Sequence, residues 1–201
     1  MRDSFHSLLT LGLFFCSIEL GCNDNPAPSS SASKYPGNLL VNSRFQYFGQ
    51  PSFHGWTIDD SDLITLSSDV PQGEFGCSIV IPSLTADSTI DLPIALSLSQ
   101  TVPAPMGKHV YRLSYWAKNV SNEIDGWGGI VSIYSIEGGS SFYWMGEPFS
   151  ETAGNWEFIS QYSDTLDVLS ANRSFHVMIF GASGGVGIKT YFHNCKLEIL
   201  N

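Results

Sequence analysis

Basic residues are scarce in this chain. Its 201 residues include nine Lys and Arg against nineteen Asp and Glu, a formal net charge of −10. A protein that grips nucleic acid neutralises phosphate with a basic footprint, and this composition excludes one. Acidity by itself names no partner, since it serves solubility as readily as recognition. Helical periodicity is missing too. After Gly37 no window of twelve or more residues repeats its apolar positions with a helical period. Motifs of catalysis are equally thin. The chain has no G-x-S-x-G elbow and no H-E-x-x-H, and the glycines of "FGASGGVG" (180–187) follow no strand-to-helix pattern that would cradle phosphate. Carboxylates are numerous enough that Glu147 or Asp125 always finds an acidic neighbour, so they do not mark a glycosidase pair.

Long apolar runs are lacking except at the N-terminus, where "LLTLGLFF" (8–15) follows Arg2. Eight residues suit a signal-peptide core and fall far short of the ~20 that span a bilayer. The run ends in "IELGC", and Leu20-Gly21-Cys22 resembles a bacterial lipobox. That resemblance implies export, lipidation of Cys22 and anchorage in the bacterial envelope or at the cell surface. A plain secretory signal and a buried N-terminal helix are the alternatives. Residues 23–37, "NDNPAPSSSASKYPG", read as a flexible Pro/Ser/Ala tether that buries no core. The expected layout is a leader over 1–22, a linker over 23–37 and one domain over 38–201.

What the domain does have is short strand-like runs separated by Gly, Ser, Asn and Pro. They are 38–42, 62–67, 77–82, 95–102, 109–118, 129–136, 156–163, 174–181 and 189–200. This spacing predicts an all-β, antiparallel β-sandwich. In the run 109–118, Tyr111, Leu113, Tyr115 and Ala117 share one face. Arg112, Ser114, Trp116 and Lys118 share the other, which mixes charge with an indole.

The order of the runs resembles a known family. "NLLVNSRF" followed by Gly55-Trp56, then "GEFGCSIVI", "LSQTV", "GKHVYRLSYWAKN", "GNWEFIS" and "YFHNCKLEIL" is similar to the galactose-binding-like jelly rolls of family 4/9-type carbohydrate-binding modules. The resemblance covers residues 38–200. It implies a jelly roll that binds a poly- or oligosaccharide without turnover. A structural or protein-binding surface lipoprotein is the competing reading, and a small polysaccharide-active enzyme a third. The family's modules hold a structural calcium where the first and last strands meet, using an acidic residue after the first-strand Phe and an aspartate in the last strand. Here Gln46 and His193 stand at those places, so the resemblance disfavours calcium and leaves only Gln46 and Asn194 as weak candidates. No other cofactor is implied.

Of four cysteines, Cys16 lies in the apolar run and Cys22 in the lipobox-like motif, leaving Cys77 and Cys195. Strand alternation turns both toward a core beside Ile79, Ile81, Leu197 and Ile199. If their strands are neighbours they can form a disulfide; otherwise they are two buried thiols. His193 and Cys195, two apart in a strand, fall on one face, but the remaining histidines supply no zinc spacing.

Sugar rings present a flat C–H face and a rim of hydroxyls, so a binding site needs exposed aromatics beside polar groups. Trp56 and Trp156 read as core. Trp116, Trp127, Tyr143 and Trp144 are the stacking candidates. Arg112, Glu123, Asp125, Glu157 and Gln161 are candidate hydroxyl partners.

Overall fold

The computed structural model describes residues 37–83, 96–120, 130–136, 154–169, 173–181 and 188–200, with 130–136 as backbone alone. Every regular element among them is a strand. In chain order they are β1 (Gln46–Tyr47), β2 (Gln50–Pro51), β3 (Thr57–Ile58), β4 (Thr65–Ser67), β5 (Ser78–Pro82), β6 (Ser97–Pro103), β7 (Gly107–Val120), β8 (Ile130–Ile136), β9 (Glu157–Tyr162), β10 (Leu166–Val168), β11 (Ser174–Phe180) and β12 (Lys189–Leu200). β1 and β2 form a separate small hairpin. The others build two antiparallel sheets. The larger runs β4-β5-β12-β7, and its far edge is shared between β9 and β10, which pair with different stretches of β7. The smaller runs β3-β6-β11-β8.

Period-2 alternation explains why the sheets pack. The inward residues of β7, Tyr111, Leu113, Tyr115 and Ala117, are buried, as are Phe175, Val177 and Ile179 on β11. Tyr111 meets Phe175 edge-on at 4.8 Å, a contact that joins the two sheets across the core. Trp56 is buried as expected, tilted against Phe45 at 5.5 Å. Each large apolar side chain so placed contributes about 1.5–3 kcal/mol relative to exposure. The chain is an all-β sandwich.

Two expectations need correction, and one segment explains both. The run 38–42 is not a strand. It lies beside β12 just where β5 stops pairing with it, and it is held by Leu39 N–H to Leu197 O (2.7 Å), Leu197 N–H to Asn38 Oδ1 (2.9 Å) and Val41 N–H to Gln100 Oε1 (2.8 Å). Asn42 then turns the chain at φ 52°, and its Oδ1 accepts from Gln46 N–H. The following residues thread between the two cysteines. Cys195 N–H donates to Ser43 O at 3.1 Å and Cys77 N–H to Arg44 O at 2.9 Å. Cys77 and Cys195 are accordingly both buried, as alternation requires, but they are free thiols and form no disulfide. Gly76 permits this close passage. A Cβ there would sit 2.9 Å from Arg44 Cβ and 3.0 Å from its carbonyl oxygen, and its φ of +106° is one that side-chain-bearing residues avoid.

A further departure lies inside β12. Its register against β7 shifts between His193 and Lys196, with Asn194 at φ 52° as the bulged residue. The bulge changes the phase of the strand. His193, opposite Trp116, lies on the outer face, and Lys196 and Glu198 continue that face; Cys195 and Leu197 enter the core. His193 and Cys195 therefore do not share a face.

Candidate functional site

The outer face of the larger sheet carries three rows of side chains across β9, β7 and β12. Cross-strand register sets them. Phe158, Trp116 and His193 form the first, Ser160, Ser114 and Lys196 the second, and Tyr162, Arg112 and Glu198 the third. Large side chains thus flank a row of two serines. The depression left between them is a cavity of ≈300 Å³ lined by Arg112, Ser114, Trp116, Phe158, Lys196 and Glu198, with Glu74 and Asn194 closing its β12 side.

Aromatic surface on this face is open to solvent. Phe158 is 53% exposed and Tyr162 61%. Phe158 packs against Trp116 with ring centroids 5.2 Å apart, tilted by 56°.

The charges around the cavity are arranged in pairs. Arg112 donates from Nη2 (2.6 Å) and Nε (3.0 Å) to Glu198 Oε2, and that hydrogen bond and charge hold the guanidinium above its ordinary pKa. Glu74, in the turn before β5, receives Arg44 Nη2 at 3.5 Å and Asn194 Nδ2 at 3.4 Å. His193 Nε2 faces the same carboxylate oxygen at 3.6 Å, while Nδ1 lies 2.9 Å from Cys77 O. A carbonyl only accepts, so Nδ1 carries the proton. Burial holds this imidazole below its ordinary value of 6.5, outweighing the opposing effects of the Cys77 carbonyl and Glu74.

Beside the cavity the next cross-strand row is packed shut. Lys118 is buried; its ammonium pairs with Asp69 and lies over the rings of Trp156 (4.9 Å) and Tyr191 (4.6 Å). Trp156 Nε1–H also donates to Asp69 Oδ1 at 3.3 Å. Trp156 is thus not a core residue but half-buried on the outer face, roofing a lysine.

Of the residues singled out from sequence, Trp116 and Arg112 do meet at the cavity. Gln161 and Glu157 do not. They pair with Leu113 and Ala117, whose side chains point into the core, so they belong to the opposite face of β9. Phe158 and Tyr162, the alternate residues of that strand, occupy the site instead. The isoleucine between Glu157 and Gln161 was the available signal, since Ile159 packs on the core and fixes its neighbours' phase. Trp127, Tyr143, Trp144, Glu123 and Asp125 lie outside the described residues, as does Cys22.

Gln46 and Asn194 each present a buried amide oxygen with no hydrogen-bond partner, Oε1 and Oδ1. Two neutral amide oxygens do not match the carboxylate-rich shell of six to eight oxygens that calcium takes.

No family model matches this sequence, and no curated protein matches it. Solved structures do match in fold. The second carbohydrate-binding module of family 16 superposes with a TM-score of 0.57 at 14% identity, covering 80% of this chain and 99% of that one. A family 61 module solved in complex with β-1,4-galactotriose gives 0.51 at 16% identity, covering 81% and 99%. The enzymatically active domain of bacteriophage CBA120 tailspike protein 4 gives 0.58 at 16% identity, but the 82% of this chain that matches spans only 22% of it. The fold is the jelly-roll β-sandwich of carbohydrate-binding modules.

Proposed function

We propose that this protein binds a glycan chain on the outer face of its larger sheet and does so without turnover. The observation that carries the reading is the groove itself. The Trp116–Phe158 pair stands beside a floor of serines and a charged rim, which is the combination a pyranose needs: apolar area for its C–H face and hydrogen-bonding groups for its hydroxyls. The fold likeness supports it, because the family 61 module was solved with a galactotriose bound. Trp127, Tyr143 and Trp144 are proposed as further stacking residues, with Glu123 and Asp125 as hydroxyl partners. Residues 1–22 are proposed to export the chain, with Cys22 lipidated and 23–37 tethering the domain to the envelope.

Affinity electrophoresis against a panel of soluble polysaccharides tests the binding. The expected result is retardation by at least one of them, abolished in Trp116→Ala, with no release of reducing ends on prolonged incubation. Unretarded migration through every gel would refute the reading for those glycans. Labelled palmitate incorporated by the wild type and not by Cys22→Ala tests the anchor.

A further inference from the structure

The charges lining the groove differ in how they are satisfied. Arg112 spends Nη2 and Nε on a single oxygen of Glu198, so that pair is close to neutral toward a ligand. Glu74 is turned toward Arg44, Asn194 and His193. Lys196 alone lines the groove with no ion-pair partner among the described residues. Register places it in the serine row, opposite Ser114, so its side chain rises from the floor of the groove between the two flanking rows. The hydroxyl of Ser114 likewise makes no hydrogen bond among the described residues, although the residue is buried.

A lysine on a solvated strand is ordinarily a solubility device. This one is half-buried between two aromatic-bearing rows, in a chain with only nine basic residues. An anion arriving there gains a charge-assisted hydrogen bond from the ammonium and another from a neighbouring hydroxyl. We propose that the glycan bound in this groove is an acidic one, a uronic-acid-bearing polysaccharide whose carboxylate pairs with Lys196 while its ring lies against Phe158 and Trp116. The inference rests on the glycan-binding reading and names the chemistry of its ligand. Net charge works against a false positive. A chain at −10 is repelled by a polyanion as a whole, so attraction to one requires a local cationic site.

The test is affinity electrophoresis of the full chain through gels containing polygalacturonate, alginate, or the neutral xylan and galactan. Wild type is compared with Lys196→Gln and Phe158→Ala. Stronger retardation by at least one of the acidic polymers than by the neutral ones is expected, weakening as salt rises toward 0.5 M because the Debye length shrinks below ~5 Å. Lys196→Gln should lose about tenfold in affinity for the acidic polymer and little for a neutral one. Phe158→Ala should weaken both. Retardation by the neutral glycans alone, or acidic binding untouched in Lys196→Gln, overturns the acidic-ligand inference and leaves glycan binding standing. Retardation by none of the four polymers overturns both for these ligands.

Discussion

Two lysines on one sheet face, Lys118 and Lys196, sit in neighbouring parts of the same aromatic surface and have opposite fates. Lys118 is 6% exposed, paired with Asp69 and covered by Trp156 and Tyr191. Lys196 lies by Trp116 and Phe158, whose rings leave a cavity above the serines. Composition alone does not separate the clusters, since each has a lysine, a tryptophan and a second ring. What separates them is the third partner. Asp69 closes the first cluster by accepting from both the ammonium and the indole, whereas the carboxylates near the second are turned to Arg112 and Arg44. A satisfied cluster contributes to stability; an unsatisfied one of the same composition is available to a ligand.

Breaking the closed cluster should have the largest effect. Asp69→Ala strands a buried ammonium, and about 2 kcal/mol of stability should be lost in urea unfolding, less than a fully buried pair because Asp69 is itself half-exposed. Glycan retardation should survive wherever the variant is folded. Stripping the open cluster should do the reverse. Phe158→Ala removes a half-exposed ring, so stability should change by only about 1 kcal/mol while glycan affinity falls about tenfold, equivalent to ~1.4 kcal/mol. Equal effects of both substitutions on unfolding would erase the distinction.

His193 lies where the clusters meet, opposite Trp116 and 6.5 Å from the Trp156 ring. Its folded pKa is lowered by burial, so near neutral pH the imidazole is uncharged in both folded and unfolded chains and its contribution is complete. As pH falls below the unfolded value near 6.5, the unfolded chain takes up a proton first and stability declines, by at most about 1.4 kcal/mol per pH unit. His176, lowered by its own burial, acts in the same direction. The difference between wild type and His193→Gln in urea midpoint at pH 7.5 and pH 5.5 isolates the His193 share, and equal pH dependence in the two proteins would contradict it. The smallest effect is expected for Glu198→Gln. The Arg112–Glu198 pair is partly solvated, so its loss should leave the urea midpoint almost unchanged. It should also free Arg112 and tighten retardation by polygalacturonate.

Much of the fold was legible because strand alternation is a local property. The run 189–200 coincides with β12, and the division of β7 into an apolar and a mixed face holds residue by residue. The site was legible only where alternation ran uninterrupted, which yielded Trp116 and Arg112. Lys196 was legible only in part: alternation from the inward Cys195 turns it outward, but its place opposite Ser114 depends on the bulge at Asn194, which resets the pairing of β12 with β7. Glu74 was not legible, since its turn is brought to the sheet by tertiary packing that leaves no period behind. Phe158 and Tyr162 were readable from Ile159, but glutamate and glutamine on the same strand suit hydroxyl binding as chemistry while facing the wrong way as geometry. The absent disulfide has a similar cause. Facing was inferred correctly for both cysteines, and the chain passing between them at Ser43–Arg44 was not visible in their own strands.

The seam between residues 38–44 and β12 also has a mechanical consequence. Tension applied to the chain ahead of Asn38 reaches first the bonds joining Asn38 and Leu39 to Leu197, and β12 is an interior strand of the larger sheet, flanked by β5 and β7. A pull on that end is therefore passed to an interior strand, which β7 holds across residues 196–200 and β5 only further along, at 189–192.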